Sequence, residues 1–284
     1  WQALVMILLS LVSAALTEFV YYIVQNKIWQ DPKGVCVKFL KQFDFSSLVT
    51  GLLLALVIPS NIEGWYMPIL GSVFAVAVVK MLFGGTGKNV VNPALGGRIF
   101  LFISFALMTA YPAANFGALL DTTGDVMTGA TSLTSGLAGE GTLSALDLFL
   151  GTGVAGCIGE TCALALLLGG AYLLVRGVIT WQTPVCFVGT VFVLSLVLGQ
   201  DALRQVLSGG LLLGAFFMAT DYVTAPQTYW GRALFGIGAG LLTCLIRFYG
   251  SYAEGVSFAI LFMNILTPYL SRWTQSKPLG GAKA

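Results

Sequence analysis

Thr131 closes the run Asp125-Val-Met-Thr128-Gly129-Ala130-Thr131, inside a Gly-, Ser- and Thr-rich segment, 111–144, that contains no lysine or arginine. The small neighbours Gly129, Ala130 and Ser132 leave the Thr131 hydroxyl accessible. Asp125 and Thr128, upstream of it, could hold the metal of a diphosphate donor while the hydroxyl attacks phosphorus. The plainer reading of the same residues is a solvated connection.

A second constellation is Phe83-Gly-Gly-Thr-Gly-Lys88-Asn89-Val-Val-Asn92-Pro93-Ala-Leu-Gly-Gly97-Arg98. Its spacing is not that of a phosphate-binding GxxxxGK[ST] loop and no strand precedes it, so nucleotide hydrolysis is not indicated. The glycines permit an unwound, closely packed segment. Asn89 and Asn92 offer amide donors and acceptors to the polar edge of a planar ring, or cap the helix that Pro93 begins. A third set is acidic: Glu18, Glu160, Glu254 and, at a helix end, Asp221, all at or near apolar runs. Acids at membrane depth read as members of an ion pathway or as partners of Arg98 and Arg232. Glu160 and Glu254 lie in glycine-containing breaks, where capping of broken helix ends is the competing role. Glu18 has no base near it in the chain and is the leading ion-pathway residue.

The elements that must position these residues are helices in a bilayer. Hydrophobic residues make up 57% of the 284 and charged residues 9%, with a mean hydropathy of +0.88, which excludes a soluble globular protein. Runs at 4–24, 47–59, 66–83, 94–110, 146–175, 184–198, 206–219, 231–246 and 255–270 give nine candidate spans. Several are short, and the fifth carries Gly151, Gly153, Gly156 and Gly159, so interrupted helices with freed backbone buried in protein are expected. The chain opens on Trp1 without a start signal, which suggests that upstream sequence, including a further span, precedes it. The fold class is all-α, a polytopic single membrane domain over 1–284 with 111–144 as its functional loop.

Placing the loop with Lys27, Lys33, Lys38 and Lys41 in the cytoplasm puts those four, with Lys80, Lys88, Arg98, Arg176, Arg232, Arg272, Lys277 and Lys283, on or beside the inner face. That is twelve of the fourteen basic residues, with Arg204 and Arg247 outside, as the positive-inside rule requires. The loop 111–144 then faces out. An internal repeat is also visible, in which Asn92-Pro93, Gly97-Arg98 and Glu160 are echoed by Ala225-Pro226, Gly231-Arg232 and Glu254. The net charge of +2 gives no reason to expect nucleic acid. The five scattered cysteines form no CxxC pair, and histidine is absent, so redox chemistry would need an organic cofactor or a centre shared with another chain.

Asp125–Thr131 resembles the D-x-x-(S/T)-G-A-T sequence on which an exported transferase esterifies FMN, through its phosphate, to the last threonine. Together with FGGTGKNVVNPALGGR, GCIGETCALALLLGG, LSGGLLLGAFFMATDYVTAP and LIRFYGSYAEGVSFAILFMNILTP, it makes the chain similar, over essentially its whole length, to the NqrB/RnfD family. The wording ATDYVTAP and GSYAEGVSFAIL is closer to RnfD, the D subunit of the Rnf ion-translocating ferredoxin:NAD oxidoreductase, than to the B subunit of the sodium-pumping NADH:quinone reductase. The resemblance implies a ten-helix flavoprotein subunit of a redox-driven ion translocase in a bacterial or archaeal inner membrane, with other Rnf subunits and lipid as partners. FMN would sit on Thr131 near the outer face. In the quinone-reducing relative, a riboflavin near the inner face meets asparagines that match Asn89 and Asn92, a sodium-pathway glutamate aligns with Glu18, and an acid matches Asp221. The motif here departs in Thr128 where serine is commoner, Ser132 where proline is common, and Tyr222 where proline is usual. The alternatives are the NqrB-type subunit itself, or a solute channel of the urea or ammonium type, which would have no use for the run ending at Thr131.

Overall fold

The computed structural model describes residues 2–25, 39, 43–60, 64–109, 111–112, 128–129, 144–152, 154–250 and 255–275. Helix α1 (Gln2–Gln25) shows why the fold needs a bilayer. Leu4, Leu8, Val12, Leu16, Val20 and Val24 recur every four residues and are 51% to 61% exposed, while Ser10 and Ser13 face inward. Polar inside and apolar outside is the pattern of a helix in lipid, where small residues and hydroxyls join the helices. The inward Ser10 hydroxyl donates to the Gly51 carbonyl at 2.6 Å and lies 2.8 Å from the Ser72 hydroxyl. A side chain at Gly51 would meet the Ser10 carbonyl at 2.9 Å, so glycine there lets α1 close on its neighbour.

That neighbour is α2 (Ser46–Leu56), followed by α3 (Met67–Val73), which continues as the π-helix Phe74–Met81. Asn92 caps α4 (Pro93–Ser104): its side-chain oxygen accepts from the Ala94 and Leu95 amides while Pro93 occupies the first turn. The short 3₁₀ segment Ala106–Thr109 ends this pass. Strands β1 (Tyr111–Pro112) and β2 (Thr128–Gly129) then form a two-residue antiparallel ladder, Tyr111 opposite Gly129 and Pro112 opposite Thr128. The ladder is two residues long, and the fold class is all-α as expected.

Helix α5 (Ala145–Leu150) opens on a capping box formed by Ser144 and Asp147 and stops at Gly151, whose φ of 82° needs glycine. Described residues from Gly151 to Cys162 are non-helical, and α6 (Ala163–Val175) resumes the pass. The expected break in the fifth span is thus present, and its freed backbone is met by protein: the Gly159 amide donates to the Leu56 carbonyl at 2.7 Å, and Pro59 bridges to Cys157. The chain continues through α7 (Gln182–Val197), α8 (Ala202–Leu207), α9 (Leu211–Leu213) running into π-turns Gly214–Met218, α10 (Tyr229–Tyr249) and α11 (Val256–Thr274). All nine apolar runs are therefore helical over most of their length. By length and composition, α1 and α10 can each cross a membrane, and five shorter apolar helices accompany them. The repeat has a structural echo, since each π-helical segment leads through an irregular turn into a capped helix carrying an arginine, Arg98 in α4 and Arg232 in α10.

Candidate functional site

The irregular turns after the two π-helices, the start of α2 and the turn after α6 converge on a cavity of about 480 Å³. The size falls in the range of small-molecule sites, roughly 300–1,000 Å³. Its polar lining includes Asp44, Ser46, Lys80, Thr86, Asn89, Asn92 and Asp221, and its apolar wall includes Leu53, Leu173, Phe216 and Phe217. Sequence reasoning placed Asn89 and Asn92 in one motif and Asp221 in another; the fold brings all three to one cavity.

The two asparagines differ in what remains for a ligand. Asn92 spends its oxygen on the cap of α4 and its amide nitrogen on the Met218 carbonyl at 3.3 Å. The side-chain oxygen of Asn89 is buried without a hydrogen-bond partner, and an orphaned acceptor in a cavity is a position a ligand donor would satisfy. Asp221 accepts from the Thr224 hydroxyl at 3.0 Å and the Val223 amide at 3.4 Å, which fixes the turn beneath it.

Glu18 has a partner that chain proximity did not reveal. Lys80, on the last turn of the first π-helix and 2% exposed, brings its ammonium to 4.0 Å from Glu18 Oε2. The same ammonium donates to the Ser46 hydroxyl, which also contacts Asp44 and Thr86. Tyr21, one turn beyond Glu18, donates to the Met81 carbonyl at 3.0 Å and ties the end of the π-helix to α1. Asp44 stands outside the spans. Partial burial works to raise its pKa, but hydrogen bonds from the Ser46 hydroxyl, Thr86 and the Ser46 amide, with the charge of Lys80, outweigh it and hold the carboxyl below its ordinary value.

Arg98 does not line the cavity. It is 3% exposed in the bundle interior, where Nη1 is 3.2 Å from Glu160 Oε1, Nη1 donates to Ser257 at 2.9 Å and Nη2 to Cys157 Sγ at 3.6 Å. Glu160 thus pairs with Arg98 across the broken span. Gly210 makes room for it, since a Cβ there would fall 2.5 Å from Glu160 Oε1. Arg247, expected outside on charge counting, is buried and donates to the Gln205 carbonyl at 2.6 Å and the Ser208 carbonyl at 3.3 Å, satisfying backbone at the break after α8. Glu254, Asp125, Ala130 and Thr131 lie outside the described residues; of the motif, Thr128 and Gly129 are seen as backbone in β2. The cavity touches the first residues of α4 and the ladder follows its far end. The 12 residues of α4 alone span about 18 Å along its axis.

The chain matches the NQR2, RnfD, RnfE family over residues 1–280. It belongs to that family. Among its relatives, the D subunit of the Na(+)-translocating ferredoxin:NAD(+) oxidoreductase complex of Acetobacterium woodii is 43% identical over 287 residues, covering 99% of this chain and 84% of the relative. The D subunit of the proton-translocating ferredoxin:NAD(+) oxidoreductase complex of Clostridium ljungdahlii is 38% identical, covering 98% and 84%. The corresponding subunit of the ion-translocating oxidoreductase complex of Escherichia coli is 36% identical, covering 100% and 88%. For this member of the family, sequence reasoning did not single out Asp44, Ser46 or Thr86 and counted Lys80 only as a topological charge. The one signal in the sequence was a single lysine inside the apolar run 66–83.

Proposed function

We propose that this chain is the membrane subunit of a complex that couples electron transfer between ferredoxin and NAD to the movement of Na⁺ or H⁺, with flavin at two positions. The observation that carries the reading is the cavity of about 480 Å³ at the start of α4, where Asn89 leaves a buried oxygen unsatisfied, in a chain of this family. FMN esterified to Thr131 would lie beyond β2, on the face away from the basic loops, in a bacterial or archaeal inner membrane with other Rnf subunits around it. A second, non-covalent flavin fits the cavity: Asn89 offers an unsatisfied buried oxygen, Phe216 and Phe217 offer faces for a planar ring, and Asp221 stands on a fixed turn at its edge. The isoalloxazine supplies the one- and two-electron chemistry when bound. The chain's own residues bind and orient it, and the apolar walls Leu53 and Leu173 limit water. Glu18 and Asp221 are the acids placed to take part in ion movement, and the loop 111–144 serves as the attachment segment of a single membrane domain.

Two substitutions separate the sites. In the purified complex, Thr131→Ala removes the FMN-sized mass increment and the in-gel flavin fluorescence of this subunit while leaving acid-extractable flavin in place. Asn89→Leu does the reverse. A native subunit weighing no more than its amino acids sinks the covalent half of the reading, and a complex with no acid-extractable flavin attributable to this subunit sinks the other. A colourless subunit that conducts a small solute would favour a channel instead.

A further inference from the structure

Lys80 has no part in the binding roles above, yet it is the one charged side chain among the described residues that both lines the cavity and pairs with Glu18. Its ammonium has three donors, and among the described residues a single hydrogen bond, to Ser46, is made. The Glu18 carboxylate at 4.0 Å is beyond hydrogen-bond reach and its Oε2 has no hydrogen-bond partner. The pair is therefore held by charge alone, on a flexible four-carbon stem. Among the described residues, the polar groups about the ammonium are oxygens: Glu18 from α1, Ser46 and Asp44 at the start of α2, and Thr86 behind Ser46. Hard oxygen ligands of this kind suit a monovalent cation as well as an ammonium. The π-helical register that buries Val76, Val79 and Lys80 together aims the lysine into this position, and π-segments commonly serve function.

We propose that Lys80 is a tethered counter-cation: its ammonium fills the cation position at Glu18 while the cavity is uncharged, and turns to the cavity when the ligand there gains negative charge. The proposal rests on the cavity reading given above. No covalent bond changes. The electron that charges the ligand comes from the redox partners of the complex, and the bared carboxylate, too costly to leave unpaired in the membrane, takes one Na⁺ or one H⁺ from the adjoining aqueous phase. One cation per negative charge keeps the site neutral. Lys80 thereby acts as a positioning residue that makes ion uptake conditional on reduction.

The test uses the assembled complex in detergent, with binding of radioactive Na⁺ and the infrared band of protonated carboxyl groups as readouts at neutral pH. In the oxidised state, Lys80→Met should bind Na⁺ at least tenfold more tightly than wild type or show a new carboxylic-acid band, and either signal should vanish in Lys80→Met/Glu18→Gln. Lys80→Arg, which keeps the charge, should remain silent. Reduction of the wild type should evoke the same signal, and reduction of Asn89→Leu should not. The proposal is overturned by a Lys80→Met complex that gains neither signal, by a gain that survives removal of Glu18, or by reduction of a flavin-loaded wild type without uptake. If Lys80→Met fails to assemble, the reduction experiment with Glu18→Gln as control decides. Absence of extractable flavin from the wild type defeats the cavity reading alone, because the oxidised-state comparison of Lys80→Met with the double variant needs no flavin.

Discussion

Asn89 and Asn92 lie within one turn of each other in the chain and do different things. Replacing Asn92 by Ala removes a helix cap, worth about 1 kcal/mol, and the bond to the Met218 carbonyl, so the purified protein should melt at lower temperature. Asn89→Ala removes an oxygen that no described group satisfies, and its effect on melting in the absence of ligand should stay within about 0.5 kcal/mol. Equal destabilisation by the two would mean that Asn89 is structural. Both residues were legible in the sequence as polar groups before a Pro-initiated helix, with ring binding and capping left open; the deciding fact, where each oxygen points, belongs to the packed structure. Glu18 was legible as an acid at depth, whereas Lys80 is brought beside it by the packing of the first π-helix on α1. Asp44 carries a pH consequence. A carboxyl held below its ordinary value of 3.8 contributes stability that is complete above that value and lost as pH falls below it toward the folded pKa. Asp44→Asn should therefore loosen the Ser46 and Thr86 contacts at neutral pH, while wild type shows the same change only in strong acid, as read by proteolysis of the turn at residues 82–91.

Helix contacts in this protein depend on missing side chains. A Cβ on Gly236 would meet the Thr183 carbonyl at 2.6 Å, and one on Gly240 would meet Thr190 Cβ at 2.7 Å, so the two glycines form the seam where α10 lies on α7. Gly236→Ala should cost about 1–3 kcal/mol through overpacking, seen as a fall in melting temperature, whereas Gly189→Ala, which meets nothing within 4 Å, should not. The Arg98–Glu160 pair fastens α4 to the broken fifth span. Removing one partner strands a buried charge at about 3–5 kcal/mol, so Arg98→Met and Glu160→Leu should each destabilise more than the two together. At this scale the sequence was most informative: nine apolar runs and the glycine-marked break correspond to elements. The π-helical segments were not legible, because a π-turn differs from an α-turn by one residue of register and leaves no compositional mark in a uniformly apolar stretch such as 66–83. The ladder was missed for the related reason that two paired residues are too few to show alternation.

At the scale of the whole molecule, the cavity gathers the starts of α2 and α4 and the ends of α6 and of both π-segments at one end. Exposed Trp181, Tyr229, Trp230 and Tyr222 stand around the same end, as aromatic residues do at a membrane interface. Lys88 and Arg176 flank these turns, so this end is expected to face the cytoplasm. Cysteine introduced at Lys88 should react with an impermeant maleimide only in inside-out vesicles, and cysteine at Ser144 only in right-side-out ones. Reversed labelling would turn the assignment of the segment 111–144 over. The expectation rests on the charge pattern of the sequence, from which the burial of Lys80, Arg98 and Arg247 removes three residues of the topological count. Helix α4 and its short extension stand between the cavity and the ladder that precedes Thr131. An electron travelling along that post from the outer end to the cytoplasmic end would move through most of the insulating thickness, and its own passage would then be work against a membrane voltage negative inside, about 2.3 kcal/mol for each 100 mV. Clamping the potential across a vesicle should accordingly tilt how reducing equivalents divide between the two ends, even with ion movement blocked.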